Sequence, residues 1–530
     1  MSSDNGISVQ VYYKLTRTAL FLQPPNNTTK VHEANHVLGY LQKLYSVFER
    51  INLPGPKPKW VIGNLKEFKD RNPLEVFKEF RKKYGKIYGF FEGFRPSIVV
   101  NDPEMTKEIL VKHFDKFGVR PVYNPFTYYP DHLNLFTTSG SLWKQQRSIV
   151  ATAFNKINME KAVENVKVTS DIFLAKLAKL VEYHPEGFNI ATLLDGFTLD
   201  AFALSAFNYE VNSMDDPDAI LMQFMTETLN AASTENKLAG ICRVYESLTP
   251  ILKIFDYKHR RVHMKHVEKM RQMVQLTRQQ KNYTTESTDN LLDHIITRTF
   301  SSRDEEGKVV RRALDDEEII AHLHSLIGGG LGTLNAALEF VVHCLAMNQP
   351  EQQRAYDEIF AQCGLNEHPT VAALKNMEYL EMVMNEALRL YPCAPGTARM
   401  CTQDCTINGV EFKAGMMIRV MAFTLYEDEE YFPQPKKFMP ERFNTAAKKE
   451  RHPYTFIPFG QGPRICVGMK FGIYLIKIAL VKILQKYVIV PSSKTQDPLP
   501  TVLRPMLAPR HGVFIKLVPR RTGPPVISQG

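Results

Sequence analysis

One cysteine in a glycine-framed loop, immediately ahead of a long apolar run, constrains this chain more than anything else in it. The stretch is Phe459-Gly460-Gln461-Gly462-Pro463-Arg464-Ile465-Cys466-Val467-Gly468. Glycines suit a loop whose backbone must approach another group closely and aim its N–H groups at sulfur. A thiolate that ligates a metal must be unprotonated and kept from water. Burial as a small apolar side chain is the commoner fate of a free thiol, but the fixed pattern around Cys466 argues for ligation.

The pattern Phe459-x-x-Gly462-x-Arg464-x-Cys466-x-Gly468 closely resembles the signature of the cytochrome P450 superfamily. Met469-Lys470-Phe471 is similar to its microsomal, vertebrate drug-metabolising and thromboxane-synthase branch. The resemblance implies a mainly α fold with a small β region, holding haem b with Cys466 as the axial iron ligand. It places Arg464 at a haem propionate and Phe459 among the haem-binding residues. At 530 residues with 44% hydrophobic content, length alone suggests about three or four domains. The resemblance instead implies one haem-thiolate catalytic domain over 53–519, an atypical N-terminal segment over 1–52 and a tail over 520–530.

Other motifs gain force from their order. Trp143 and Arg147 lie four apart, on one helical face. They resemble the family's Trp-x-x-x-Arg helix, whose indole and guanidinium both reach a propionate. Ahead of them, the aromatic and proline-rich stretch Val122 to Pro130 suits part of a substrate lid. Apolar residues at helical spacing predict a helix over Thr370 to Pro392. Within it Glu386 and Arg389 can pair, usually as a solvated surface pair. With Arg442 of Pro440-Glu441-Arg442-Phe443 they resemble the family's buried ion-pair triad, a structural role. Arg399 matches a position that meets a propionate, and Asn408-Gly409 between alternating residues signals a hairpin. Cys401 and Cys405 read as strand residues.

A long apolar helix is predicted from Leu314 to Asn348, opened by a capping-box-like pair, Asp315 and Glu318, and stopped by Pro350. By resemblance it crosses above the haem. The family's oxygen-activating stretch there carries an acid followed by threonine; here Gly332 replaces the acid and Thr333 keeps the hydroxyl. Cleavage of O2 needs two protons, and glycine carries none. The run Gly328-Gly329-Gly330-Leu331-Gly332 costs roughly 1 kcal/mol per glycine inside a helix, so local unwinding is expected. His322 and His324, on the same helix, read as packing residues.

The net charge of +10 admits nucleic acid, an anionic membrane or an acidic protein. No nucleic-acid module is recognisable. Lys436, Lys437, Lys448, Lys449, Arg451, Lys470, Lys477 and Lys482 flank the cysteine loop, and the resemblance implies that this face docks an NADPH-dependent reductase and possibly cytochrome b5. Seven cysteines without a CxxC pair favour a reducing compartment. Residues 1–50 contain no clear membrane-spanning run, and Leu53-Pro54-Gly55-Pro56-Lys57-Pro58 resembles the family's stiff hinge. Attachment to the endoplasmic reticulum membrane, on its cytosolic face, is implied by resemblance alone. The expected activity is a monooxygenase that puts one atom of O2 into a lipophilic substrate, with NADPH acting only through the reductase. The alternatives are a hydroperoxide or endoperoxide isomerase or dehydratase, and a non-catalytic haem-binding protein.

Overall fold

The computed structural model describes residues 39–121, 127–216, 222, 223, 226, 241, 242, 248–280, 290–303, 309–504 and 506–520. Most of the N-terminal segment, part of the expected lid and most of the tail lie outside them. Helices dominate, arranged around one that runs from Asp316 to Met347. Asp315 accepts from the Glu318 N–H at 2.8 Å while Glu318 accepts from the Asp315 N–H at 3.1 Å, the reciprocal capping box that fixes its start. Length and hydropathy would let this helix cross a membrane, but 83% of its apolar window is buried, which makes it the axis of the core. The glycine run responds as expected of weak helix formers: Leu326–Leu331 is a π-helical turn between the α-helical Asp316–Ser325 and Gly332–Met347.

The small β region is built around a four-stranded sheet. Ile87–Glu92 pairs antiparallel with Arg95–Val100, Arg95–Val100 parallel with Met417–Val420, and Thr397–Met400 antiparallel with Met417–Val420. Arg399 lies in the last of these strands, opposite Ile418. The hairpin at Asn408-Gly409 joins Cys405–Ile407 to Val410–Phe412, with φ of 49° and 81° at its two turn residues, as a type I′ turn requires. Cys405 opens a strand, whereas Cys401 sits one residue past the end of Thr397–Met400. The proline-rich Leu53 to Pro58 is tied down: the Gly89 N–H donates to the Pro54 carbonyl at 2.8 Å, and Asn64 donates to the carbonyls of Pro56 and Lys57.

The helix expected over Thr370 to Pro392 is two helices, Val371–Asn376 and Glu378–Leu390, broken at Met377. Tertiary partners supply what the break exposes. Glu358 accepts from the N–H groups of Tyr379 and Leu380 at 2.7 and 2.8 Å. Lys477 donates to the carbonyls of Leu374 and Met377 at 2.8 and 3.0 Å. The orphaned backbone groups at both ends are thus satisfied by charged side chains.

Glu386 and Arg389 are fully buried. The Arg389 guanidinium grips the Glu386 carboxylate with two bonds of 2.7 and 2.9 Å, and Arg442 adds a third at 3.2 Å. The Met439 N–H also donates to Glu386, and Arg389 reaches the Tyr426 carbonyl at 2.7 Å. Removing one member leaves the others' buried charge uncompensated, which costs roughly 3–5 kcal/mol. Glu386→Ala is therefore expected to lose that much stability in urea unfolding followed by circular dichroism; a loss below about 1 kcal/mol would contradict the buried-triad account.

Candidate active site

The cysteine loop is held by its own backbone and by the turn it leans on. The Cys466 N–H donates to the Phe459 carbonyl at 2.9 Å, and the Ile465 N–H to the Gly462 carbonyl at 3.0 Å. Gly462 has φ of +76°, and a Cβ there would stand 2.1 Å from the Leu110 carbonyl oxygen. No other residue fits, so the loop's shape depends on that glycine. The next helix, Met469–Lys486, starts directly after Gly468.

Cys466 is surface-accessible, yet burial is the largest influence on its thiol and pushes it up. A hydrogen bond from the Gly468 N–H and the charges of Arg147 and Arg120 act the other way and favour the thiolate.

Around this sulfur the fold gathers cations. Arg464 donates to the carbonyls of Gly118, Leu135 and Thr138 at 2.9, 3.0 and 2.6 Å and lies 4.4 Å from the centre of the Trp143 ring. Trp143 is buried on Gly140–Thr152, the helix that also carries half-buried Arg147. Gln146 anchors that helix to the central one, donating to Glu318 at 2.9 Å. Arg399 is buried and donates to Thr397 Oγ1 at 2.7 Å and to the Ala398 carbonyl at 2.9 Å. Sequence reasoning missed Arg120. It donates to the Arg464 carbonyl at 3.2 Å and stacks 4.4 Å from the centre of the Phe136 ring. Its neighbour Val119 bridges to Met400, and that pairing brings Arg120 to the Arg399 strand; no motif in Gly118-Val119-Arg120-Pro121 signals it. Burial, followed by the charges of Arg120, Arg399 and Arg147, pushes Arg464 down to about 9.

The central helix packs beside the helix that follows the cysteine. Leu334 comes within 3.9 Å of where a Cβ on Gly472 would stand, six residues after the cysteine. Along the helix Gly329 and Gly330 are exposed and Leu326 and Thr333 half-buried, while Gly328, Leu331, Gly332 and Leu334 are buried. The accessible residues share one face, and a Cβ added to Gly329 or Gly330 would meet nothing within 4 Å. The Thr333 hydroxyl donates back to the Gly330 carbonyl at 2.8 Å.

The basic face is smaller than expected. Lys477 and Lys482 are buried, Lys477 with Glu381 and the two carbonyls at the Met377 break, Lys482 with Asp171 at 3.1 Å. Arg451 is half-buried, donating to the Arg442 carbonyl and lying over Phe432 and Phe443. Each spends its charge on internal acceptors or rings. Lys436, Lys437, Lys448, Lys449 and Lys470 remain exposed.

The family described as Cytochrome P450 matches residues 53–515. Cytochrome P450 3A28 of Bos taurus is 31% identical over 498 residues, covering 92% of this chain and 95% of the relative. Cytochrome P450 3A12 of Canis lupus familiaris is 30% identical over 493 residues, 91% and 95% of the two chains. Cytochrome P450 3A25 of Mus musculus is 29% identical over 494 residues, 92% and 96%.

Haem, the group that this family implies, fits what the residues offer. Cys466 offers an accessible sulfur, Gly329 and Gly330 leave open space on the neighbouring central helix, and a set of guanidiniums that repel one another suits a dianion such as two propionates. A hydrogen bond to a charged group contributes roughly 1.5–3 kcal/mol, less where water screens it. Arg120→Ala is accordingly expected to speed haem loss about tenfold, measured as transfer from the purified protein to an apo-globin acceptor. An unchanged rate would remove Arg120 from the site.

Proposed function

The chain belongs to the cytochrome P450 family and is a haem-thiolate monooxygenase; from that premise we propose that it oxidises a lipophilic organic substrate with electrons from NADPH, delivered by a separate reductase. The observation that carries the reading is the accessible stripe Leu326, Gly329, Gly330 and Thr333 on the helix that packs beside the cysteine-bearing segment.

When bound, haem would supply the iron chemistry that reduces O2 and oxidises a C–H bond, with its potential tuned by a thiolate ligand. The chain's own residues do the rest. Cys466 is the proposed ligand, held by Phe459 and Gly468 backbone groups. Arg120, Arg147, Arg399 and Arg464, with the Trp143 indole, are proposed to take the propionates and fix the ring's orientation. Glu386, Arg389 and Arg442 hold the segment from which the cysteine loop departs. The bare glycine wall admits an apolar substrate close to the sulfur face. Thr333 is the proposed proton donor on this wall, resting on the Gly330 carbonyl until a water competes for it. Gly332 has no proton to give, so ordered water must complete the delivery. The exposed lysines 436, 437, 448, 449 and 470 suit an acidic flavoprotein partner, and attachment to the endoplasmic reticulum membrane belongs to the same reading.

One observation favours a second reading. With Gly332 in place of an acid and the Thr333 hydroxyl bonded back into its own helix, a substrate that brings its own O–O bond would not need the relay. Such an enzyme would isomerise or dehydrate hydroperoxides or endoperoxides. The test is turnover of a mixed lipophilic panel, lipid hydroperoxides included, by the haem-loaded protein with and without NADPH and a microsomal reductase. Product that depends strictly on NADPH is expected, and Gly332→Glu should raise the fraction of NADPH oxidation that ends in product. Fast hydroperoxide conversion without NADPH, unimproved by Gly332→Glu, would overturn the proposal in favour of the second reading.

A further inference from the structure

Away from the cysteine loop, three chain segments bring a carboxylate and two imidazoles together inside the protein. Asp131 opens the short turn Asp131–Leu133, His263 sits on the helix Tyr257–Gln280, and His324 on the central helix, two residues before the π-helical turn. One ligand-capable atom from each lies within 4.8 Å of the others. His263 Nδ1 is 3.6 Å from one Asp131 carboxylate oxygen, and His324 Nδ1 is 2.5 Å from the other. Both imidazoles are buried.

The hydrogen bonding of His263 shows what this arrangement lacks. Its Nε2 is 3.1 Å from the Tyr129 carbonyl. A carbonyl only accepts, so Nε2 carries the hydrogen, and a neutral ring then presents a lone pair at Nδ1. That atom has no hydrogen-bond partner. It points at a carboxylate oxygen, another acceptor, and two buried lone pairs facing each other repel. A cation between them resolves the conflict. The carbonyl that fixes the tautomer is also the usual outer partner of a metal-ligating histidine.

We propose that Asp131, His263 and His324 form a binding site for a first-row divalent cation, Zn2+ by its ligand chemistry. Two imidazoles and one carboxylate, with a fourth position for water, make a familiar zinc ligand set. Ligand atoms about 2.0–2.1 Å from a tetrahedral Zn2+ stand roughly 3.3 Å from one another. The His263 contact is near that spacing already, and the His324 contact must open by less than about 1 Å. The His324 Nδ1–Asp131 contact is a hydrogen bond with the hydrogen on Nδ1, so that hydrogen leaves, or passes to Nε2, when Nδ1 takes the ion. His259 does not join the set: its Nδ1 is 2.9 Å from Asp256, which also accepts from Tyr128 at 3.0 Å. An ion here would fasten the Tyr257–Gln280 helix and the Asp131 turn to the central helix just before its glycine run.

The test uses the haem-loaded full-length protein, stripped by chelator and titrated with Zn2+, with bound metal counted by elemental analysis and its ligands read by Zn K-edge X-ray absorption. One tight equivalent is expected, with an imidazole-containing nitrogen and oxygen shell and no sulfur at about 2.3 Å. Asp131→Asn and His263→Gln should each weaken binding at least about tenfold, while the exposed neighbour variant His132→Ala should leave it unchanged. Added Zn2+ should raise the thermal midpoint of the wild type and of His132→Ala only. Haem absorbance shows that each variant is folded, and His263→Gln nearly preserves shape where Asp131→Asn fails to fold. No retained zinc, a sulfur shell, or binding indifferent to His263→Gln would overturn the site.

Discussion

The rest of the structure depends on one buried carboxylate. Glu386 has no exposed surface and accepts from Arg389, Arg442 and the Met439 backbone. Through Arg389 it also reaches Tyr426, whose hydroxyl in turn accepts from the Ile457 N–H, two residues before Phe459. The chain of bonds therefore runs from a helix interior to the threshold of the cysteine loop. A salt bridge this deep is weak evidence for net stability, because desolvation offsets its attraction. Its value here is geometric: the Glu386–Arg389 pair ties its own helix to the Met439–Arg442 segment and to Tyr426, both distant in sequence, in one arrangement.

That arrangement sets two unlike elements side by side. One is the cysteine loop, whose shape rests on Gly462 against Leu110; burial pushes its thiol up, and Gly468, Arg147 and Arg120 oppose that shift. The other is a helix that gives up its α-helical hydrogen bonding over six residues, Leu326–Leu331, which include the glycines 328–330. Glycine weakens the helix and empties the space in the same step. Of the arginines gathered there, Arg399 and Arg464 are buried, and burial beside the other guanidiniums holds Arg464 below its ordinary value.

Much of this was legible in the sequence, and the reasons differ by element. The cysteine loop could be read because its glycines, arginine and cysteine are adjacent, and the capping box at Asp315 because it spans four residues. The triad needed only the local Glu386-x-x-Arg389 and one distant arginine. The break at Met377 was hidden: apolar periodicity runs straight through it, and its partners Glu358 and Lys477 lie far along the chain. For the same reason Lys477 and Lys482 looked like surface charges. Burial of a long cation is decided by acceptors elsewhere in the fold, and nothing beside it in sequence reports them. Arg120 and His324 escaped alike, the first reaching its neighbours through an isolated strand bridge, the second through an aspartate 193 residues away.

The proposed reading, with Gly332 where the family's stretch carries an acid, rests proton delivery on Thr333 and on water, so the central question is where the inserted oxygen comes from. The most direct measurement is mass spectrometry of product formed under 18O2 by the haem-loaded protein with reductase and NADPH. The account predicts one 18O atom in each hydroxylated product molecule. Product that carries no label, its oxygen traced instead to a substrate hydroperoxide, would contradict it.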